Sequence, residues 1–422
     1  MNKIDTVVIG AGQAGLAVSR LLTDAGREHV VLDRGRVADR WRTERWDSLR
    51  LLSPNWMIRF PGHSYTGTDP DGFMSVGRFA QYLEYYAASF DAPVQPGSAV
   101  RELAADPVSG GYRVATDGGT WRAAHVVIAT GPHGVPRIPA GLRSADVLAS
   151  NRYRNPGQLA PGGVLVIGAS ASGAQIADEL NRAGRRVVLS AGRHTRVPRT
   201  YRGMDIFWWL ACTGRLARTI DEVTDPAAAR REPSMQLVGR RSPREGAAVD
   251  LPALQSRGVR LVGRFAGMAG GRAQFRPDLA ENVATAEHRM HRLLDSIDDY
   301  IADTGLADEL FPAHRPPPLD VPMPTPGLDL SRAGINTVVV ASGYRPDYPW
   351  LRLPITAADG TIQQYRGVTP ADGIYVVGQR FQHRRDSGFI HGAQYDAQDV
   401  VQHLLTGSVP AAPDERSEER AA

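Results

Sequence analysis

Asp5–Asp33 reads DTVVIGAGQAGLAVSRLLTDAGREHVVLD. A β-branched run, Thr6–Ile9, breaks into Gly10-Ala11-Gly12-Gln13-Ala14-Gly15, and a helical pattern through Leu16, Val18, Leu21 and Leu22 follows. Gly26 stops that helix, and a second apolar run, Val30–Leu32, ends on Asp33. Strand, glycine turn, helix, strand and terminal acid make a complete dinucleotide fingerprint. Its first glycine permits the tight turn, its second lets the backbone approach a pyrophosphate, and its third brings helix against strand. The helix start, at Gln13 and Ala14, faces the phosphate charge. Asp33 is placed to take a ribose hydroxyl, and Arg34 beside it is counted with the same site.

Gly163–Gly192 repeats the opening in step, as GVLVIGASASGAQIADELNRAGRRVVLSAG. Gly168, Ser170, Gly173 and Gly184 stand in the register of Gly10, Gly12, Gly15 and Gly26. Ser170 replaces the middle glycine, where its hydroxyl, with that of Ser172, can bond a phosphate oxygen. Ala191 stands where the first unit has Asp33, and Arg193 follows. An acid there would repel a 2′-phosphate, whereas an arginine suits NADPH. The alternative for Arg193 is a solvated surface.

The 422-residue chain is long enough for two or three domains with ample core. Its basic excess is arginine, Lys3 being the only lysine. A net charge of +4 spread along the chain makes no basic stripe, so no nucleic-acid partner is expected. The single cysteine, Cys212, excludes an intrachain disulfide, a dithiol redox pair and a cysteine-rich metal site. No membrane span, no targeting segment and no metal are expected, and the expected location is cytoplasmic.

Between and after the fingerprints the chain alternates legible and opaque stretches. Val37–Pro61 carries Trp41, Trp46 and Trp56 among arginines. Each tryptophan taken alone reads as core, yet Trp41 and Arg42 also suit wrapping a flat cofactor ring. Gly77–Phe90 reads as an amphipathic helix and Val94–Trp121 as short strands. Val126–Gly131 (VVIATG) reads as a buried strand ending at Thr130-Gly131, and the proline-rich Pro132–Pro139 as a domain exit. Ile206–Leu210 reads as core, with a pocket wall as the alternative, Ala227–Ala248 as a surface excursion and Val259–Val262 as a returning strand. Asp278–Gly305 reads as a long helix, polar on most faces; its His288 and His291 read as solvated. Phe311–Pro326 is read as an extended return toward the first domain. Val338–Gly343 (VVVASG) and Asp372–Gly378 (DGIYVVG) read as further strands reaching a cofactor edge, at Ser342, Gly343 and Gly378. Gly392 then opens a helix, Ala393–Leu405, able to present amides to a second cofactor anion. Val409–Ala422 reads as a disordered tail.

This order predicts an α/β fold of two Rossmann-like domains, the second inserted into the first: 1–158, 159–330, then 331–408, with 409–422 as the tail. Two facing dinucleotide folds suit hydride passage from a nicotinamide to a flavin.

From about Asp5 to Leu405 the chain resembles the class B flavoprotein monooxygenases, in the flavin-containing monooxygenase group that includes plant indole-3-pyruvate monooxygenases. The resemblance rests on GAGQAG, the WR…W…LRLLSP segment, VVIATG, GASASG, VVVASGYRP and GIYVVG. It implies that Gly10, Gly12, Gly15 and Asp33 hold FAD with Trp41 and Arg42 near the flavin, and that Ser170, Gly173 and Arg193 hold NADPH. The implied activity inserts one oxygen atom from O2 into an amine, sulfur or activated carbon through a flavin hydroperoxide. A reductase or oxidase passing electrons to a partner or to O2 is the second expectation, and a nucleotide-binding redox sensor the third. The family carries His shortly before a Tyr-Lys or Tyr-Arg pair; here Ala149 stands at that place, before Tyr153 and Arg154. The Baeyer–Villiger signature is absent. No catalytic residue is nominated, and the substrate and oligomeric state stay open.

Overall fold

The computed structural model describes residues 2–107, 110–142, 147–238 and 249–408. The tail at 409–422 and part of the excursion at 227–248 lie outside them. Two sheets organise the chain, the first mixed and the second parallel. In the first, strands run in the order Val94–Gln95, His29–Leu32, Asn2–Ile9, Gly119–Ile128, Tyr112–Thr116, Val100–Ala105. Ile374–Val376 also pairs with the C-terminal half of Gly119–Ile128, whose N-terminal half joins the antiparallel meander. Val7 and Val8 have no exposed surface and Ile9 little: Val8 packs against helix residues such as Val18 and Val400 on one face, and Val7 and Ile9 against Leu103, Val114 and Ile355 of the meander and a later loop on the other. Burying each such side chain contributes about 1.5–3 kcal/mol.

Helices α1 (Gln13–Asp24), α2 (Asp39–Thr43) and α3 (Val76–Ala88) follow in the first unit. Helix α4 (Ala171–Arg182) follows the second glycine turn. Next come α5 (Ile206–Cys212), α6 (Pro226–Arg230), α7 (Leu251–Ser256) and the long α8 (Leu279–Thr304). Helix α9 (Ala393–Thr406) returns to pack beside α1.

The second sheet is parallel throughout, in the order Leu148–Ala149, Ile335–Val340, Gly163–Ile167, Val187–Ser190, Arg260–Val262. Its membership corrects the expected boundaries. Leu148–Ala149 and Ile335–Val340 both pair inside the second sheet, so that unit begins before residue 158 and continues past 330. The extended Phe311–Pro326 accordingly leads into the second unit's strands Gly327–Asp329 and Ile335–Val340, not to the first domain. The two later connections between the sheets run side by side: Val135–Pro136 pairs antiparallel with Tyr344–Arg345.

Helix α8 is the long helix, polar on most faces, that the sequence predicts. Leu279, Val283, Ala286, Met290, Leu294, Ile297 and Ile301 form one buried stripe, so the helix is amphipathic. The C-terminal part of the stripe, from Met290, closes a core with Ile206, Phe207, Trp209 and Leu210 of α5, which bears out the reading of that patch.

Candidate functional site

The two glycine turns have the same local geometry. Gly10 and Gly168 have φ of 114° and 104°, a region that L side chains rarely adopt. A β-carbon on either would meet the carbonyl oxygen of the neighbouring strand's end, Ala129 in one unit and Ala341 in the other. VVVASG therefore does for the second turn what VVIATG does for the first. A β-carbon on Gly15 would stand 1.9 Å from the Gly10 carbonyl oxygen, and one on Gly173 would stand 1.7 Å from that of Gly168. Both third glycines are thus demanded by helix-to-strand contact. Gly12 is different: nothing lies within 4 Å of where its side chain would project, so space, not folding, is what its missing side chain provides.

Gly12 and Ser170 occupy the same N-cap position with nearly the same backbone, φ −87° and ψ −175° against −77° and −173°. Neither caps its helix through a side chain, which leaves the first-turn amides of both helices facing outward and the Ser170 hydroxyl uncommitted. Ser172, like Ser170, is half-buried on the second turn, as Gln13 is on the first. Ala14 is buried, and Gly378 sits so close that a side chain there would touch the Ala14 methyl at 2.9 Å. The end of the Ile374–Val376 strand is thereby brought against the first turn.

Asp33 closes the first turn. One carboxylate oxygen accepts the Ala11 N–H at 2.7 Å and the other the Gly35 N–H at 2.8 Å. Burial pushes its pKa up, while these two N–H groups work the other way. The remaining lone pairs are free to accept sugar hydroxyls. Arg34 is turned outward onto Glu44 at 2.7 Å. Trp41 is fixed beside the glycine turn, where its indole N–H donates to Gln13 Oε1 at 3.1 Å, its edge meets Phe79 and Arg45 stacks over it. The Arg42 guanidinium pairs with Glu84 on α3 at 2.7 Å. Trp46 and Trp56 join other hydrophobic clusters.

In the second unit Arg193 lies just past the strand Val187–Ser190, exposed and without an ion pair among the described residues. It is available to an anionic ligand at the strand's end. Thr130 and Gly131, and Ser342 and Gly343, end the paired strands of the two units, with Gly131 and Gly343 at φ 75° and 88°. The Thr130 carbonyl accepts from Arg40, and the Ser342 hydroxyl donates to the Arg137 carbonyl. Gly392 caps α9; a side chain there would collide with the Asp386 carbonyl oxygen at 1.8 Å.

Three groups of polar residues were not found in the sequence reading. The loop before α9 is knotted around Ser387, whose hydroxyl donates to Asp396 at 2.9 Å and accepts the N–H groups of His383 and Arg384. Asp396 is buried, and its pKa is raised well above the carboxylate range by that burial. Between the units, Glu179 on α4 accepts from Ser48 at 2.7 Å, and within the second unit it accepts from the Tyr153 of the family motif at 2.6 Å. At the junction, His133 has its pKa pushed down to about 3 by burial and by Arg45, Arg40 and Arg380. Among the described residues no cluster of metal-ligating side chains occurs, and no helix is long and apolar enough to cross a membrane. His291 meets Arg315.

Residues 7–203 match the profile of the pyridine nucleotide-disulphide oxidoreductase family. Cys212, the only cysteine, lies outside that match and is exposed, so the likeness extends to the nucleotide folds and not to a dithiol. The chain is similar to the indole-3-pyruvate monooxygenase YUCCA1 of rice, Oryza sativa, 31% identical over 48% of this chain and 51% of that one. In fold it is similar to the flavin-containing monooxygenase of Stenotrophomonas maltophilia, with a TM-score of 0.62 at 19% identity, covering 96% of this chain and 99% of that one. A CzcO-like oxidoreductase of Geobacillus kaustophilus is 30% identical across 95% of this chain and 98% of its own length. With both chains matched almost end to end, this protein belongs to the CzcO-like oxidoreductase family.

Proposed function

We propose that this oxidoreductase is a cytoplasmic FAD- and NADPH-dependent monooxygenase acting on a small organic substrate and O2. The observation that carries the reading is the doubled turn: two glycine loops of one geometry, each with outward amides, one followed by Asp33 and the other by Ala191 and Arg193. The acid suits a ribose with free hydroxyls, and its replacement beside an unpaired arginine suits a 2′-phosphate. When bound, FAD would supply the oxygen chemistry and NADPH the hydride. The chain itself supplies binding and exclusion of water, by Trp41 beside the first turn and by the contacts that close the domains on each other. The finer reading, oxygen insertion through a flavin hydroperoxide, draws support from the monooxygenase relatives and from the lack of a dithiol to carry electrons onward.

The test begins with the purified protein, denatured so that released flavin can be identified by chromatography. FAD supports the reading, and FMN or no loadable flavin sinks it. Oxygen uptake with NADPH is then followed across amine, sulfide and carbonyl substrates. A substrate-dependent rise with an oxygenated product supports a monooxygenase. A second reading, a reductase or oxidase, is favoured by Ala149, which places an apolar, buried side chain where the family has histidine. NADPH oxidation that yields only peroxide with every substrate would select it.

A further inference from the structure

Gln236 is only 1% exposed, yet one of its two polar atoms goes unused. Its amide nitrogen donates to the carbonyl of Ala169, inside the second glycine turn between Gly168 and Ser170. A carbonyl oxygen can only accept, so the amide cannot be turned the other way round. The side-chain oxygen, Oε1, is therefore a buried acceptor with no partner among the described residues. A buried polar atom left in that state costs free energy that a ligand's donor would recover.

The position of Gln236 is fixed by its own strand pair. It lies on Met235–Val238, which runs parallel to Thr195–Pro198, and Arg196 stands opposite it. Arg196 is itself buried: its guanidinium holds Asp250 at 2.9 and 3.0 Å and donates to the Pro317 carbonyl at 2.8 Å. Asp250 caps α7, so the pair is anchored to the framework of the second unit. It starts two residues past the exposed Arg193, on the side of the turn where the strand Val187–Ser190 ends. In a dinucleotide fold the adenosine ribose lies at the end of that strand. An NADPH pyrophosphate is ionised at neutral pH and has no proton to donate, and the 2′-oxygen is esterified. That leaves the ribose 3′-hydroxyl as the donor between the turn and the 2′-phosphate.

We infer that Gln236 is a binding residue for the second nucleotide: its Oε1 accepts the 3′-hydroxyl of the ribose that carries the 2′-phosphate, while its amide nitrogen holds the turn carbonyl. The inference rests on the reading of the second turn as an NADPH site. Arg193 recognises the phosphate and Gln236 the sugar, so Gln236 adds affinity without choosing between NADPH and NADH.

The test uses the oxidised protein with its flavin and titration calorimetry, so that no turnover occurs. The probes are 2′,5′-ADP, its 3′-deoxy analogue, NADP+ and NAD+. Wild type should bind 2′,5′-ADP about two- to tenfold more tightly than the 3′-deoxy analogue, the size of one neutral hydrogen bond. Gln236→Met keeps the length of the side chain and removes the acceptor. It should weaken 2′,5′-ADP, NADP+ and NAD+ by one shared factor of that size, and should bind 2′,5′-ADP and its 3′-deoxy analogue equally. A residue that only props the turn through Ala169 would weaken every ligand yet leave the preference for the 3′-hydroxyl intact in Gln236→Met, and that result would overturn the inference. Equal binding of the two analogues by wild type would overturn it as well, and needs no variant to fold. So would a loss of NADP+ affinity with 2′,5′-ADP unchanged, which assigns the contact to the nicotinamide side. If NADP+ binds and the 3′-hydroxyl makes no difference, the NADPH reading stands and this inference falls. A protein that binds neither NADP+ nor 2′,5′-ADP would sink both.

Discussion

Adding one methyl group at Gly12 and at Gly15 has opposite expected outcomes. Gly12 has open space around it and a φ that any residue adopts, so Gly12→Ala should fold with a melting temperature near wild type. It should nonetheless lose flavin, because the methyl fills the space through which a pyrophosphate approaches. Gly15→Ala drives a β-carbon into the Gly10 carbonyl and should destabilise by several kcal/mol. Melting curves and flavin content together check the pair; equal melting temperatures would contradict the packing argument. Arg193→Ala should raise the NADPH KM by roughly ten- to a hundredfold, the size of a lost charge-assisted hydrogen bond, and leave NADH nearly unchanged. Equal losses for both nucleotides would place Arg193 away from the 2′-phosphate. His133 carries a pH prediction. Its folded pKa, about 3, lies below the unfolded value of about 6.5, so acidification protonates the unfolded chain first. The stability it contributes is complete above about pH 6.5 and is lost as pH falls toward the folded value. His133→Gln should lose less stability than wild type over that acid range in chemical denaturation; parallel curves would count against it.

At the scale of elements, the loop from Gly378 to α9 depends on one hydroxyl. Ser387→Ala would strip Asp396 of its donor and leave the His383 and Arg384 N–H groups without their acceptor. A loss of about 1–3 kcal/mol is expected, with weaker flavin retention because α9 packs on α1. Unchanged stability in urea unfolding would show that the loop has other support. This loop was illegible in the sequence because its Arg, His and Gln residues follow no helical or strand period. The fingerprints were legible for the opposite reason: Gly10, Gly15, Gly168 and Gly173 are each demanded by a backbone contact within their own unit. Helix α8 was legible as polar on most faces because its buried stripe, from Leu279 to Ile301, is narrow and charged residues flank it on both sides. VVVASG was placed with the first domain and pairs in the second sheet, since a buried parallel strand reads the same whichever sheet it enters. Arg40, Arg45 and Arg380 around His133 escaped notice, and Arg154 was read only as part of the family motif. Arg40 and Arg45, Arg154, and Arg380 come from three distant stretches of the chain and converge only when both sheets and both crossings are in place.

For the whole molecule, the junction between the sheets decides how well reduced flavin is kept from water on the proposed function. The domains are tied by Glu179 to Ser48, and by the paired crossings at Val135–Pro136 and Tyr344–Arg345. Alongside these ties, the segment from Leu148 to Gln158 borders an open, polar cleft. Ala149, buried within the second sheet's edge strand, offers no hydrogen bond where the family has a histidine. An open polar cleft admits water, and water favours release of activated oxygen as hydrogen peroxide over transfer to a substrate. NADPH consumption without substrate should therefore produce appreciable peroxide. A substrate that fills the cleft should displace that water, so peroxide per NADPH should fall as product per NADPH rises. An oxygen electrode run in parallel with a peroxide assay measures both. Tight coupling without substrate, with slow NADPH use and no peroxide, would show that the junction is already sealed. Peroxide equal to the NADPH consumed, for every substrate tried, would show instead that the cleft serves an oxidase and that oxygen insertion is not this enzyme's reaction.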